Sequence, residues 1–176
     1  MQHRDAIVAA VGIQPGMAVA DVGAGSGLFL APFAEAVGPN GTLFAVEIGE
    51  RLVEALAARA AEGGYAQVEA VLGSPRSVGL DEGSVDTAFL CNVYHHVEHP
   101  RTMLASLRAT IRPGGTLFIV DFERIPEVSS SFILGHVRAD KAQVTEEVED
   151  AGFTLVEEVT VAGVEENYLL RFRRPR

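Results

Sequence analysis

The chain has 176 residues but only one cysteine, Cys91, and one lysine, Lys141. A lone cysteine cannot pair within the chain, which excludes a disulfide framework. No apolar run reaches the length of about 18 residues that a bilayer demands, so no membrane-spanning helix is expected. A signal-type apolar core is missing too. Met1-Gln2-His3-Arg4-Asp5 leads only into residues 6–11, which are too few for one and are followed by Gly12 and Pro15. The expectation is a cytoplasmic protein. Positive charge is scarce: 14 basic residues against 24 acidic ones leave a net charge of −10. A bulk field of that sign repels phosphate backbones, so no nucleic-acid partner is expected.

What is present is a good supply of core. Apolar residues make up 48 % of the chain, too many for a disordered polymer. A chain this long buries about 70 % of the surface its unfolded form exposes, and roughly 150 residues make a domain. One domain over 1–176 is therefore expected. Apolar strands alternate with helical stretches. Residues 18–22, 42–46, 68–72, 84–90 and 116–120 read as five strands, the last nearly continuously apolar, as parallel strands buried on both faces are. Residues 26–37, 49–62, 100–112 and 139–151 read as helices. Pro32 must lie in the first turn of its helix or kink it. Pro100 opens the third helix at a favoured first-turn position. Residues 154–161 and 167–172 alternate like a closing hairpin. The βαβαβ order predicts an α/β fold, a doubly wound sheet rather than a barrel at this length. Residues 146–166 carry eight acidic side chains and no basic one, which reads as a solvated face.

The strongest single feature is Asp21-Val22-Gly23-Ala24-Gly25-Ser26-Gly27, which leaves the first strand and enters the next helix. Glycines let such a turn fold sharply and approach a ligand. The crevice beyond this strand is where open α/β sheets take cofactors. A dinucleotide fingerprint wants its third glycine where Leu28 stands. Glu47 ends the second strand, twenty residues after Gly27. A carboxylate there accepts two hydrogen bonds from a ribose diol, whether of NAD or of another nucleoside-type cofactor.

Together these residues resemble motif I of the class I S-adenosylmethionine-dependent methyltransferases. Residues 84–90, running into Tyr94-His95-His96-Val97-Glu98-His99-Pro100, are similar to the fourth-strand block of the small-molecule, UbiE-like branch. Residues 107–117, with Arg112-Pro113-Gly114-Gly115, resemble its helix, PGG turn and fifth strand, and Ala151-Gly152-Phe153 resembles the turn before strand six. The resemblance implies a three-layer αβα Rossmann-like sheet, order 3-2-1-4-5-7-6, with strand 7 antiparallel. It implies S-adenosylmethionine as cofactor, S-adenosylhomocysteine as product and a small-molecule acceptor. Gly23, Ala24, Gly25 and Gly27 would meet the methionine part, with Asp21 orienting the loop or holding the amino group. Glu47 would take the ribose and Ile48 the adenine. Gly73 and Ser74 stand where relatives often carry an Asp near the adenine amine. Asn92 would lie by the methionine or the acceptor. Residues 1–16 would form an N-terminal helix or cap, and 122–138 an acceptor-side segment.

Methyl transfer from a sulfonium is an in-line displacement with the activation already in the donor. A base is needed only if the acceptor must lose a proton. His95 and His96 are the first candidates, and Asp121 at the end of the fifth strand is another. Tyr94 and His136 are candidate acceptor contacts, though Tyr94 equally suits the core. No metal is expected, because adjacent histidines on a helix point in different directions and no paired carboxylate spacing supports one. Two other readings stay open: a methyltransferase-like module that binds S-adenosylmethionine without turnover, and an NAD(P)-dependent oxidoreductase. The apolar N-terminal segment and an open sheet edge would support a homodimer. With so short an acceptor-side segment, the acceptor pocket is expected to be open or completed by another chain.

Overall fold

The β-branched and aliphatic runs of this chain can be buried only in a sheet covered on both faces, and that is how they are used. The computed structural model describes residues 3–164 and 166–176. Met1 and Gln2 of the expected cap and Glu165 of the acidic run lie outside the described residues. Seven strands pair: β1 (Ala18–Val22), β2 (Thr42–Glu47), β3 (Val68–Leu72), β4 (Val85–Cys91), β5 (Ile111–Phe122), β6 (Thr154–Glu158) and β7 (Asn167–Arg173). Their order is β3-β2-β1-β4-β5-β7-β6. The first five are parallel, while β7 runs antiparallel to both β5 and β6. This is the sheet order that the motif resemblance implied.

The helices are α1 (Arg4–Val11), α2 (Leu30–Val37), α3 (Glu50–Glu62), α4 (Pro100–Thr110), α5 (Ser131–His136) and α6 (Lys141–Asp150). Ile7, Phe33 and Leu56 carry α1, α2 and α3 onto one face of the sheet. Leu104, Leu107, Val144 and Val148 carry α4 and α6 onto the other. The core is thus two apolar layers on a common sheet. The strand order turns back between β1 and β4, and such a switch point opens a crevice at the carboxyl ends of the strands. Among the described residues no helix is long and apolar enough to cross a membrane.

Three local departures from the sequence reading have physical causes. The helix expected from residue 26 begins only at Leu30, because Gly27 stands at φ +81° and Pro32 is tolerated only in a first turn. The helix expected to run to Arg112 stops at Thr110, and β5 begins at once. Pro113 favours an extended residue before it, and Gly114 takes φ +83°. The register between β4 and β5 accordingly jumps from Val85–Ile111 to Thr87–Thr116. The third departure is α5, within a stretch expected to be irregular; the Ser130 hydroxyl caps it by accepting from the Ile133 amide at 3.3 Å. The acidic stretch is also less free than a solvated face: Lys141 pairs with Glu158 and Glu123, and Arg138 with Glu147.

Candidate active site

The crevice is built first by the glycine loop. Gly23, Gly25 and Gly27 all adopt positive φ, and the amides of Gly23 and Ala24 both donate to the Val46 carbonyl at 2.9 and 3.1 Å. The loop is therefore pinned to the end of β2. A Cβ on Gly23 would stand 2.5 Å from the Val93 side chain, so this position has no room for any other residue without a shift. Asp21 lies beneath the loop, 2 % exposed, and its Oδ2 has no hydrogen-bond partner among the described residues. Burial, and secondarily the charge of Glu47, push its carboxyl up to about 7. A buried carboxylate without a partner is costly, and a cation bearing N–H donors is what satisfies it.

Glu47 closes the other side. Its Oε1 accepts from the Gly25 amide at 2.7 Å and its Oε2 from the Ile48 amide at 2.9 Å. Each oxygen keeps lone-pair capacity for a further donor. The carboxylate faces a cleft of about 370 Å³, within the size range of small-ligand sites. Of the expected cofactor residues, the cleft brings together Gly23, Glu47, Ile48, Gly73 and Ser74, with His96 on the same wall. Val78, Val97 and Met103 complete it as an apolar slot, and Ile48 presents 61 % of its surface to it or to solvent. Sequence reasoning missed these three because Val78 stands in an irregular connection, while Val97 and Met103, the latter on the buried face of α4, read as ordinary core. Asn92 lies elsewhere. It takes φ +54°, accepts from the Asn167 side chain at 2.8 Å, and lines a neighbouring cavity with Ile7, Cys91 and Asn167. Burial foremost, then the charges of Asp21 and Asp121, push the Cys91 thiol up to about 12, so it stays neutral.

Tyr94 is a correction. It was a candidate acceptor contact, but it is fully buried in the core, with its hydroxyl donating to Glu147 Oε2 at 2.7 Å. Arg138 holds that carboxylate through both oxygens and lies over the tyrosine ring. Burial and the Glu147 partner push the phenol well above its usual range. Tyr94→Phe is expected to lower stability by about 1–2 kcal/mol, a hydrogen bond to a charged partner. Thermal melting should read this as a midpoint lower by about 2–8 °C. S-adenosylmethionine affinity should not change; a loss of affinity would return Tyr94 to the site.

The histidines differ most from the sequence reading. The side chain of His95 is 3 % exposed, and Asp121 is 1 % exposed beside it. Asp121 Oδ1 stands 2.6 Å from His95 Nδ1, and Oδ2 accepts from the His95 amide at 2.9 Å. The carboxylate thus holds the proton on Nδ1. Neither group is open to the cleft, so Asp121 stands behind His95 rather than at the acceptor. His96 is exposed and lines the cleft. Burial, then the neighbouring His95 and His136, keep its imidazole below the usual range. The expected divergence of the adjacent rings is also corrected. His95 and His96 lie 4.0 Å apart, centre to centre, because the residues form a short 3₁₀ turn (Tyr94–His96) rather than a helix. His136, at the end of α5, closes on both at 5.1 and 4.9 Å.

Residues 20–119, more than half of the chain, match the family described as "Methyltransferase domain". The chain belongs to that family. It is 44 % identical over 73 residues to nocamycin O-methyltransferase of Saccharothrix syringae, covering 42 % of this chain and 26 % of that protein. It is 26 % identical over 113 residues to the ubiquinone/menaquinone biosynthesis C-methyltransferase UbiE of Bordetella avium, covering 64 % of this chain and 44 % of that protein. The chain spans less than half the length of these curated relatives. In fold it resembles a SAM dependent methyltransferase from Aquifex aeolicus, with a TM-score of 0.87 at 22 % identity, over 97 % of this chain and 89 % of that one. The methyl donor that goes with the family is S-adenosylmethionine. The crevice has features that suit it: Glu47 offers acceptor capacity for a diol and the apolar slot offers walls for a purine, while Asp21, 2 % exposed and unpartnered at Oδ2, lies next to Val22 and Gly23 of the cleft wall without lining it itself.

Proposed function

We propose that the chain transfers the methyl group of S-adenosylmethionine to a hydroxyl, phenolic or enolic, of a small-molecule acceptor. The observation that carries this reading is His96, an exposed imidazole on the wall of the cofactor cleft with the buried His95–Asp121 pair directly behind it. Of the two candidate histidines, the 3 % side-chain exposure of His95 leaves the contact with the acceptor to His96. When bound, S-adenosylmethionine supplies a methyl group already activated on its sulfonium. Asp21 takes the ammonium, and Gly23, Ala24 and Gly25 let the backbone close on the methionine part. Glu47 takes the ribose hydroxyls. Ile48, Val78, Val97 and Met103 would supply apolar walls for the adenine, together with Gly73 and Ser74 of the same cleft. Holding donor and acceptor in line is worth roughly 7–11 kcal/mol of barrier. His96 accepts the hydroxyl proton as the bond to carbon forms. His95, fixed by Asp121, supports the His96 ring and acts as a positioning residue. His136 borders the acceptor from α5.

The O-methyltransferase among the relatives supports an acceptor that loses a proton. Titration calorimetry should show both S-adenosylmethionine and S-adenosylhomocysteine binding. Labelled donor should then methylate phenols or enols and leave their methyl ethers untouched. Transfer only to amines or thiols, or no binding of either nucleoside, would overturn the reading. Glu47→Gln tests the ribose contact separately. Losing a charged acceptor costs about 1.5–3 kcal/mol, so affinity should fall roughly 10- to 100-fold.

A further inference from the structure

The three histidines leave a chemical feature that methyl transfer does not require. From the cluster of His95, His96 and His136 we infer that the acceptor side carries a binding site for one divalent transition-metal ion of the Zn²⁺ class, ligated by the three imidazoles. One ring nitrogen from each residue lies within 4.8 Å of those of the other two. Nitrogens around a zinc ion, at about 2.0–2.1 Å each, stand about 3.4 Å apart, so closure needs a movement of roughly 1 Å. Two of the three side chains are exposed and free to make it.

The orientation of the buried ring is already set. Asp121 holds the proton on Nδ1 of His95, which leaves the Nε2 lone pair as the available donor. A carboxylate on the distal nitrogen is the usual partner of a metal-bound histidine. His96 lies against the His95 ring, and Phe132 stacks on His136 at 5.0 Å and 22°. The two ligand segments leave the carboxyl ends of β4 and β5, so the sheet itself brings them together. Three imidazoles suit zinc, copper or nickel rather than magnesium or calcium. A fourth position would stay open to water or to the acceptor oxygen. The site uses His96, so an occupied site and proton transfer to His96 exclude each other.

The inference shares its residues with the proposed acceptor side but not its chemistry, and the test separates the two. Metal-free protein is titrated with Co²⁺ and followed by visible absorption, with Zn²⁺ added afterwards. The expected result is one Co²⁺ per chain with d–d bands of low coordination number, displaced by Zn²⁺. The bands should vanish in His136→Ala and in His96→Ala, because losing one of three ligands costs more than the roughly 10- to 100-fold that loss of an outer partner costs. Thermal melting of the same preparations checks that the variants are folded. An absent spectrum in the unsubstituted protein, or bands retained in folded His136→Ala, would overturn the site. S-adenosylmethionine titration of the unsubstituted protein is run alongside. Its failure would remove the donor reading and leave the cobalt result standing.

Discussion

Asp21→Asn is expected to weaken S-adenosylmethionine binding by about a hundredfold or more while making the free protein more stable above neutral pH. The first effect follows from removing one partner of a buried charged pair, which typically costs about 2–5 kcal/mol. The second follows from the position of its carboxyl at about 7 against 3.8 for an ordinary aspartate. Its folded value is raised, mainly by burial, so the folded state holds this proton more tightly than the unfolded state. The contribution of that proton to stability is complete at acid pH. It is lost as the pH rises between about 4 and 7, by on the order of 4 kcal/mol in all. Asparagine never ionises and does not incur that loss. Chemical denaturation at pH 5 and pH 8 should therefore show a stability difference in the unsubstituted protein that Asp21→Asn largely removes.

Binding adds a second signature at the same carboxyl. Below pH 7 the free site carries a proton that the ligand ammonium must displace, so affinity should fall by about tenfold for each pH unit. Above it the affinity should level off until the ligand amine begins to lose its own proton. Calorimetry over this range checks the slope. Equal affinity of Asp21→Asn and the unsubstituted protein at pH 8 would detach Asp21 from the cofactor.

His96→Ala should lower kcat by about 10²- to 10⁴-fold, the usual worth of a positioned base. The KM for S-adenosylmethionine should move far less, since His96 contributes only one wall of the cleft. Asp121→Asn should lower kcat by a smaller factor, with the acceptor KM nearly unchanged, because Asp121 reaches the acceptor only through His95. Steady-state kinetics with both substrates varied gives the split. Unchanged turnover in His96→Ala would mean that the acceptor reacts without a base on this residue.

The cofactor-side residues stood out in the sequence as a motif, and five of them, Gly23, Glu47, Ile48, Gly73 and Ser74, line the cleft. Asp21, the glycines through Gly27 and Glu47 stand at the ends of β1 and β2, where the turn residues are recognisable locally, although the Gly25–Glu47 bond that joins them forms across α2. The acceptor half did not stand out in this way. Tyr94 is a core residue because Glu147, 53 positions later in the chain, meets its hydroxyl. His95 stands back from the cleft because Asp121, from the next strand, packs against it. His136 reaches His95 and His96 from 40 or so positions away, through a short helix that the serine run at 129–131 signalled only weakly. Val78 belongs to the connection after β3, whereas Val97 and Met103, the latter on the buried face of α4, carry the same apolar signal as ordinary core residues.

What the amino-acid sequence determined by itself was the α/β class of sheet and the carboxylates at its strand ends, while the strand order followed from the motif resemblance. Strand hydrophobicity, glycine turns and short connections constrain these locally, and the same residues produce them wherever they fold. Only the tertiary structure decided which side chains face the cleft and which are sealed behind it. Burial, ring contacts and the pairing of His95 with Asp121 arise between segments that meet only after the sheet has closed. The scarcity of cysteine and lysine noted at the outset takes on a more definite meaning in that light. The lone thiol of Cys91 is half-buried and kept neutral, the lone lysine bridges Glu123 and Glu158, and the reactive groups left at the acceptor side are the imidazoles.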